Sequence, residues 1–273
     1  WSDESVDYAY RFIKNTFTIL TDPPKIIRKH LTIRDTLIQY YLNKIIKDFT
    51  DNMQNLAIRN AVNNLIQFAS ELGKYKAEGI KEEIYEECRE NLIILLHPIA
   101  PHMTEELWET IGKKGYLSLN PWSDYKKDLL TEESDYKWKL MNNILDDINN
   151  IKLAMRKEKL NSISIIIAYE WKLKLYNTIM SLLEETKNQG EIMKKLMKND
   201  DFKKYSKQIG KILSRILKNV GKFPKFSLSP DKEYEFFDEI KPIIEIKYNC
   251  KVKVIFEKDS SEQKASQALP SKP

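Results

Sequence analysis

Glycine is scarce in this chain, seven in 273 residues, and so are cysteine, with two, and histidine, with three. Few glycines leave few places for the crowded or left-handed backbone on which phosphate-cradling loops depend, and no Gly-rich loop of that spacing occurs. Three histidines leave little material for a general base, and no Ser/His/Asp constellation can be assembled around them. Cys88 and Cys250 lie far apart in apolar surroundings and match no metal-ligand spacing, so they read as buried thiols in a reducing cytoplasm. His97 and His102 have two prolines between them and no third ligand beyond, which argues against zinc. No apolar run approaches the roughly 20 residues that cross a bilayer. Residues 1 to 20 form an amphipathic pattern with acids at the front, not a signal peptide. A chain that opens on Trp1 instead of Met reads as a piece of a longer protein.

What is present is a globular balance, 42% hydrophobic and 31% charged, in a length sufficient for two domains. Abundant Leu, Ile, Lys, Glu and Asn favour long helices with solvated faces. Charge is unevenly spread: residues 1 to 136 hold 17 Lys/Arg against 22 Asp/Glu, whereas residues 137 to 273 hold 28 against 18. The later half therefore calls for an acidic partner, most simply nucleic acid.

Periodicity places a first helix over 3–20, capped by Ser2 and ended by Asp22-Pro23-Pro24. A second begins at Ile33 after Thr32 and turns Ile38, Tyr41, Leu42, Ile45 and Phe49 inward. A third buries Ile58, Ala61, Leu65, Phe68 and Leu72, and a fourth, 81–97, buries Ile84, Cys88, Leu92 and Leu95 before Pro98 stops it. Short connections make these an antiparallel bundle. A short helix near 104–112, capped by Thr104, precedes a long one over 135–159 with Met141, Leu145, Ile148, Ile151 and Met155 inward. Then the period changes: SISIIIA at 162–168 and KVKVIF at 251–256 read as strands. Helices over about 170–187, 190–198, 201–219 and 233–248 lie between, the last kinked or restarted at Pro242. The fold class expected is mainly α: a helical bundle over 1–134, a connecting helix over 135–160, and a small α+β domain over 161–257. Residues 258–273 read as a flexible tail.

The most informative stretch is 89–122, RENLIILLHPIAPHMTEELWETIGKKGYLSLNPW, an apolar helix followed by Pro98-x-x-Pro101-His102, Glu105-Glu106-Leu107-Trp108, Gly112 and Pro121-Trp122. It resembles the anticodon-binding helical bundle of class I aminoacyl-tRNA synthetases for leucine, isoleucine and valine. Residues 35–68, with Leu56-x-x-Arg59-x-Ala61-Val62, resemble the archaeal and eukaryotic cytosolic leucyl enzymes more than the others. So do the strand followed by Tyr169-Glu170-Trp171-Lys172, the Lys-rich helices and the tail QALPSKP. Neither His-x-Gly-His nor Lys-Met-Ser-Lys-Ser occurs, so the resemblance implies a piece without catalysis of its own. ATP and Mg would then belong to a catalytic domain upstream. It implies a monomeric, cytoplasmic partner of leucine tRNA, with no membrane role. The alternatives are an isoleucyl or valyl fragment, a free-standing tRNA-binding paralogue, and a helical module for an acidic protein.

Between residues 186 and 226 there are twelve basic residues and three acidic ones. Lys203, Lys207, Lys211, Arg215 and Lys218 recur every three or four residues, as one helix face does, while Ile209, Ile212, Leu213, Ile216 and Leu217 face a core. Lys194, Lys195, Lys198, Lys204 and Lys222 extend the same basic region. Lysines supply phosphate affinity without base readout. The resemblance further implies that the second domain meets the long variable arm of leucine tRNA, with Lys264, Gln267 and Lys272 of the tail near its tip. In the bundle, Lys25, Arg28, Lys29 and Arg34 are expected to hold the tRNA body, and Arg59 is expected to be an internal ion-pair partner.

Overall fold

In a computed structural model the described residues are 3–218, 220–262 and 265–272, the side chains of Ser5 and Lys222 excepted. The chain divides into two units, one up to Trp138 and one from Lys139 onward. Trp1, the expected Ser2 cap, Lys264 and Pro273 lie outside the described residues.

The first unit contains α1 (Asp3–Thr21), α2 (Ile33–Gln54), α3 (Ile58–Glu78), α4 (Glu82–Leu96) and α5 (Pro101–Thr110). The apolar positions named from the 3.6-residue period make its core: Ile38, Phe49, Leu65, Phe68, Leu72, Cys88, Leu92 and Leu95 are all sealed from solvent. Each such side chain contributes on the order of 1.5–3 kcal/mol by leaving water. Ile58 departs from the expectation. It is 41% exposed at the first position of α3, just after the Ala57 cap and the turn at Leu56, whose φ is positive at 55°.

The Pro-rich corner is built differently from the reading of Thr104 as a cap. α5 starts at Pro101, where a missing N–H costs nothing and φ is already helical. Thr104 is buried inside its first turn, bonding the carbonyls of Ala100 and Pro101 and the Nδ1 of His97 at 2.8 Å. Glu105 then accepts from the Leu117 and Ser118 amides, tying the loop after α5 back to the helix.

A long helix, α6 (Glu132–Ala154), carries the chain from the first unit into the second. It ends earlier than the expected 159. Leu140, Met141, Ile144 and Ile148 are buried, but Ile151 and Met155 are exposed, and Arg156 adopts a left-handed φ of 51° that breaks the helical path.

The second unit pairs β1 (Ser162–Ile167) with β2 (Lys251–Phe256) in parallel, Ser162 opposite Lys251 and Ile167 opposite Phe256. Parallel pairing requires a long crossover. It is supplied by α7 (Glu170–Glu185), α8 (Gln189–Leu196), α9 (Asp200–Lys203), α10 (Ser206–Lys218) and α11 (Pro230–Tyr248). Two differences from the expectation stand out. The single helix foreseen over 201–219 is broken into α9 and α10 at Lys204-Tyr205, and α11 runs through Pro242 without restarting. Asn249, left-handed at φ 48°, ends α11 and turns the chain into β2.

The stretch read as a flexible tail is docked where it is described. Ala265, Ala268, Leu269 and Ser271 are buried. Lys172, only 1% exposed, donates to the Ser266 and Ala268 carbonyls at 2.8 Å and to Glu257 at 2.9 Å. Composition suggested disorder because the apolar content of the segment is low. A buried ammonium that needs carbonyl acceptors explains why it nonetheless packs.

Candidate nucleic-acid interface

The charge surplus of the second half resolves into a groove on α10. Alternation along this helix is sharp: Ile209, Leu213 and Ile216 are sealed into the core of the second unit with Leu175, Ile179, Ile192 and Leu196. The opposite face carries Lys207, Lys211 and Lys218, one to two turns apart. With Gln189 at the start of α8, Ser206, Gly210, Ser214 and Arg215, they line an open groove of about 680 Å³.

Unpartnered cations distinguish this face from an ordinary solvated one. Lys207, Lys211 and Lys218 are exposed, and among the described residues no carboxylate stands within ion-pairing distance of them. A surface of one sign, without the acidic neighbours that normally lace a helix, holds a positive potential. Lys194 and Lys198 on and after α8 are exposed as well.

Other members of the expected basic set are engaged. Lys203 belongs to α9 and pairs with Asp200 at 2.5 Å, so it is not continuous with the α10 row. Lys195 pairs with Glu185, and Lys204 lies over the Tyr205 ring at 5.0 Å. Arg215 stands at the groove but gives one N–H to the carbonyl of Gln267 at 2.8 Å, fastening the 265–267 turn to α10. Lys272 is half-buried and pairs with Asp147 at 3.0 Å. Gln267 is exposed, Lys222 is described only in its backbone, and Lys264 not at all.

In the first unit the four cations expected to hold the tRNA body divide evenly. Lys25 and Lys29 are exposed on the α1–α2 connection. Arg28 and Arg34 face inward. Arg28 grips Asp35 with two bonds of 2.8 Å and also donates to the Gly79 carbonyl. Burial works to raise the Asp35 carboxyl, but bonds from Arg28, Tyr75 and Thr32 outweigh it and hold the group below its usual range. Arg34 is 2% exposed and bridges Glu71 at 2.6 Å and Glu78 at 2.8 Å. Its position one residue before Asp35, on the face of α2 that packs on α3, gave no sequence signal distinguishing it from a surface arginine. Arg59, expected inside, is exposed and makes no ion pair among the described residues.

Sequence reasoning missed Glu233 and Lys172 as the buried polar anchors of the 265–272 segment. Glu233 is buried at the start of α11 and accepts from the Ser271 amide at 2.9 Å. Burial pushes its carboxyl up to about 7, against the pull of that amide. Glu233 falls at a position where the first turn of a helix ordinarily favours an exposed acid, so nothing in the pattern marked it as buried.

Residues 35–167 match the family described as the anticodon-binding domain of tRNA ligase. Leucine–tRNA ligase of Methanocaldococcus jannaschii is 30% identical over 65% of this chain and 19% of its own length. That of Pyrococcus furiosus is 27% identical over 88% of this chain and 24% of its own, and that of Archaeoglobus fulgidus 26% identical over 100% and 28%. The chain thus spans between a fifth and somewhat over a quarter of the length of these relatives. A solved LeuRS–tRNA ternary complex from Agrobacterium radiobacter K84 aligns over 61% of this chain at 18% identity with a TM-score of 0.37, too slight a likeness to argue from. Residues 35–167 are thus similar to the anticodon-binding domain family of tRNA ligases, within a chain similar from end to end to an archaeal leucine–tRNA ligase.

Proposed function

We propose that this chain is the tRNA-binding region of a leucine–tRNA ligase, holding leucine tRNA for ATP-dependent aminoacylation by a catalytic domain that is not part of these 273 residues. The carrying observation is the groove on α10, where Lys207, Lys211 and Lys218 stand exposed without acidic partners. Such a row binds the phosphate backbone and reads no bases, so selection falls to the shape of the RNA. A long variable arm is the feature of leucine tRNA that a second, basic unit is placed to grasp. Lys25 and Lys29 of the bundle support the body of the tRNA, whereas Arg28 and Arg34 act through the fold. The protein works as a monomer in the cytoplasm.

Filter binding of leucine tRNA over a salt series tests this reading. Replacing Lys207, Lys211 and Lys218 together by alanine should weaken binding at least a hundredfold at low salt. It should also flatten the dependence of log K on log salt by about two to three, as expected for the loss of as many phosphate contacts. An unaltered slope would mean that the α10 face is only solvated.

A further inference from the structure

Gly210 sits in the interior of α10, where glycine costs roughly 0.5–1 kcal/mol relative to alanine. At the α-helical glycines Gly73 and Gly190 the fold itself accounts for the residue: a Cβ on Gly73 of α3 would meet the Ile19 Cδ1 at 3.0 Å, and one on Gly190 of α8 would meet Asn188 Oδ1 at 3.3 Å. A Cβ on Gly210 would meet nothing within 4 Å, and its φ is not left-handed. Neither packing nor backbone conformation therefore requires glycine here. Gly210 lines the open groove, together with Ser214 one turn on, Gln189 of α8 and the lysine row.

We propose that Gly210 is the point where a sugar–phosphate strand of the RNA lies directly against the α10 backbone. The missing side chain lets the strand sink between α8 and α10, and Lys207, Lys211 and Lys218 close on its phosphates from one side. A close approach of this kind is what a side-chain-free position permits, and it shortens the reach each lysine must make. Gln189 and the Ser214 hydroxyl then face the strand as uncharged hydrogen-bonding groups. The inference rests on the RNA-binding reading of the same groove and adds to it a steric requirement that charge alone does not impose.

Gly210→Ala and Gly210→Met separate the two, since both residues favour helix and the Cβ space is open. Thermal unfolding should show each variant at least as stable as the wild-type chain. In filter binding of leucine tRNA, Gly210→Ala should lose affinity several-fold and Gly210→Met tenfold or more, both with the salt slope of the wild type because every lysine remains. Lys211→Ala should do the reverse, flattening the slope by about one. Wild-type affinity in Gly210→Met, or in Gly210→Ala should the larger variant fail to fold, overturns the steric requirement and leaves the RNA reading standing. Failure of the wild-type chain to retain RNA at all overturns the RNA reading and this inference together.

Discussion

Replacing Glu233 by glutamine should change how the stability of the second unit responds to pH. The carboxyl is 2% exposed and has the Ser271 amide as a donor, and burial raises it from an ordinary 4.5 to about 7. Between those values the unfolded chain gives up the proton while the folded chain keeps it, so the unfolded state binds fewer protons and stability falls as pH rises. The favourable contribution is complete below pH 4.5 and gone above pH 7. At ~1.4 kcal/mol per pH unit the gap amounts to roughly 3 kcal/mol. Glutamine keeps an oxygen to accept from Ser271 and never ionises. Whatever fixed cost its amide carries is the same at every pH and cancels. Urea unfolding of both chains from pH 4.5 to 8 should therefore show the variant gaining on the wild type by roughly 3 kcal/mol across that interval, most of it between pH 5 and 7. A difference that is flat with pH, or that shrinks as pH rises, would refute the burial argument, because it would mean the carboxylate is ionised in the fold and held by a cation.

Arg34→Met should destabilise the bundle by ~3–5 kcal/mol, because Glu71 and Glu78 lose the guanidinium that bridges them while Glu71 stays buried; adding Glu71→Leu should recover part of the loss in thermal unfolding. Lys172→Met should cost about 3 kcal/mol, since Glu257 and two carbonyls lose their donor. Hydrogen exchange should show its effect concentrated at 265–272, and equal protection there in the variant would mean the segment docks by its apolar residues alone.

Much of the fold was legible because one-sided burial writes itself into the period of the sequence. Phe49, Phe68, Leu92 and Leu213 were placed inward by spacing alone, and the change from a 3.6-residue to a two-residue period located both strands. Caps and breaks were less legible. Tyr205 interrupts α9 and α10 by stacking on Trp171 at 3.9 Å, a tertiary contact that helix propensity does not register. The basic groove was visible as a charge surplus, but a count of lysines does not say which are neutralised. Asp200 takes Lys203, Glu185 takes Lys195 and Asp147 takes Lys272, and only the three-dimensional arrangement leaves Lys207, Lys211 and Lys218 standing free among the described residues. For the same reason Arg28 and Arg34 were indistinguishable in sequence from Lys25 and Lys29, although two of the four are internal struts.

The most direct test of the account is the affinity of the chain for leucine tRNA with its variable arm intact and with that arm deleted, measured by filter binding at one salt concentration. Selection by the second unit predicts a loss of tenfold or more on deletion, and no such loss in the Lys207, Lys211 and Lys218 triple variant, whose groove no longer engages the arm. Equal affinity of the wild-type chain for the two RNAs would contradict it.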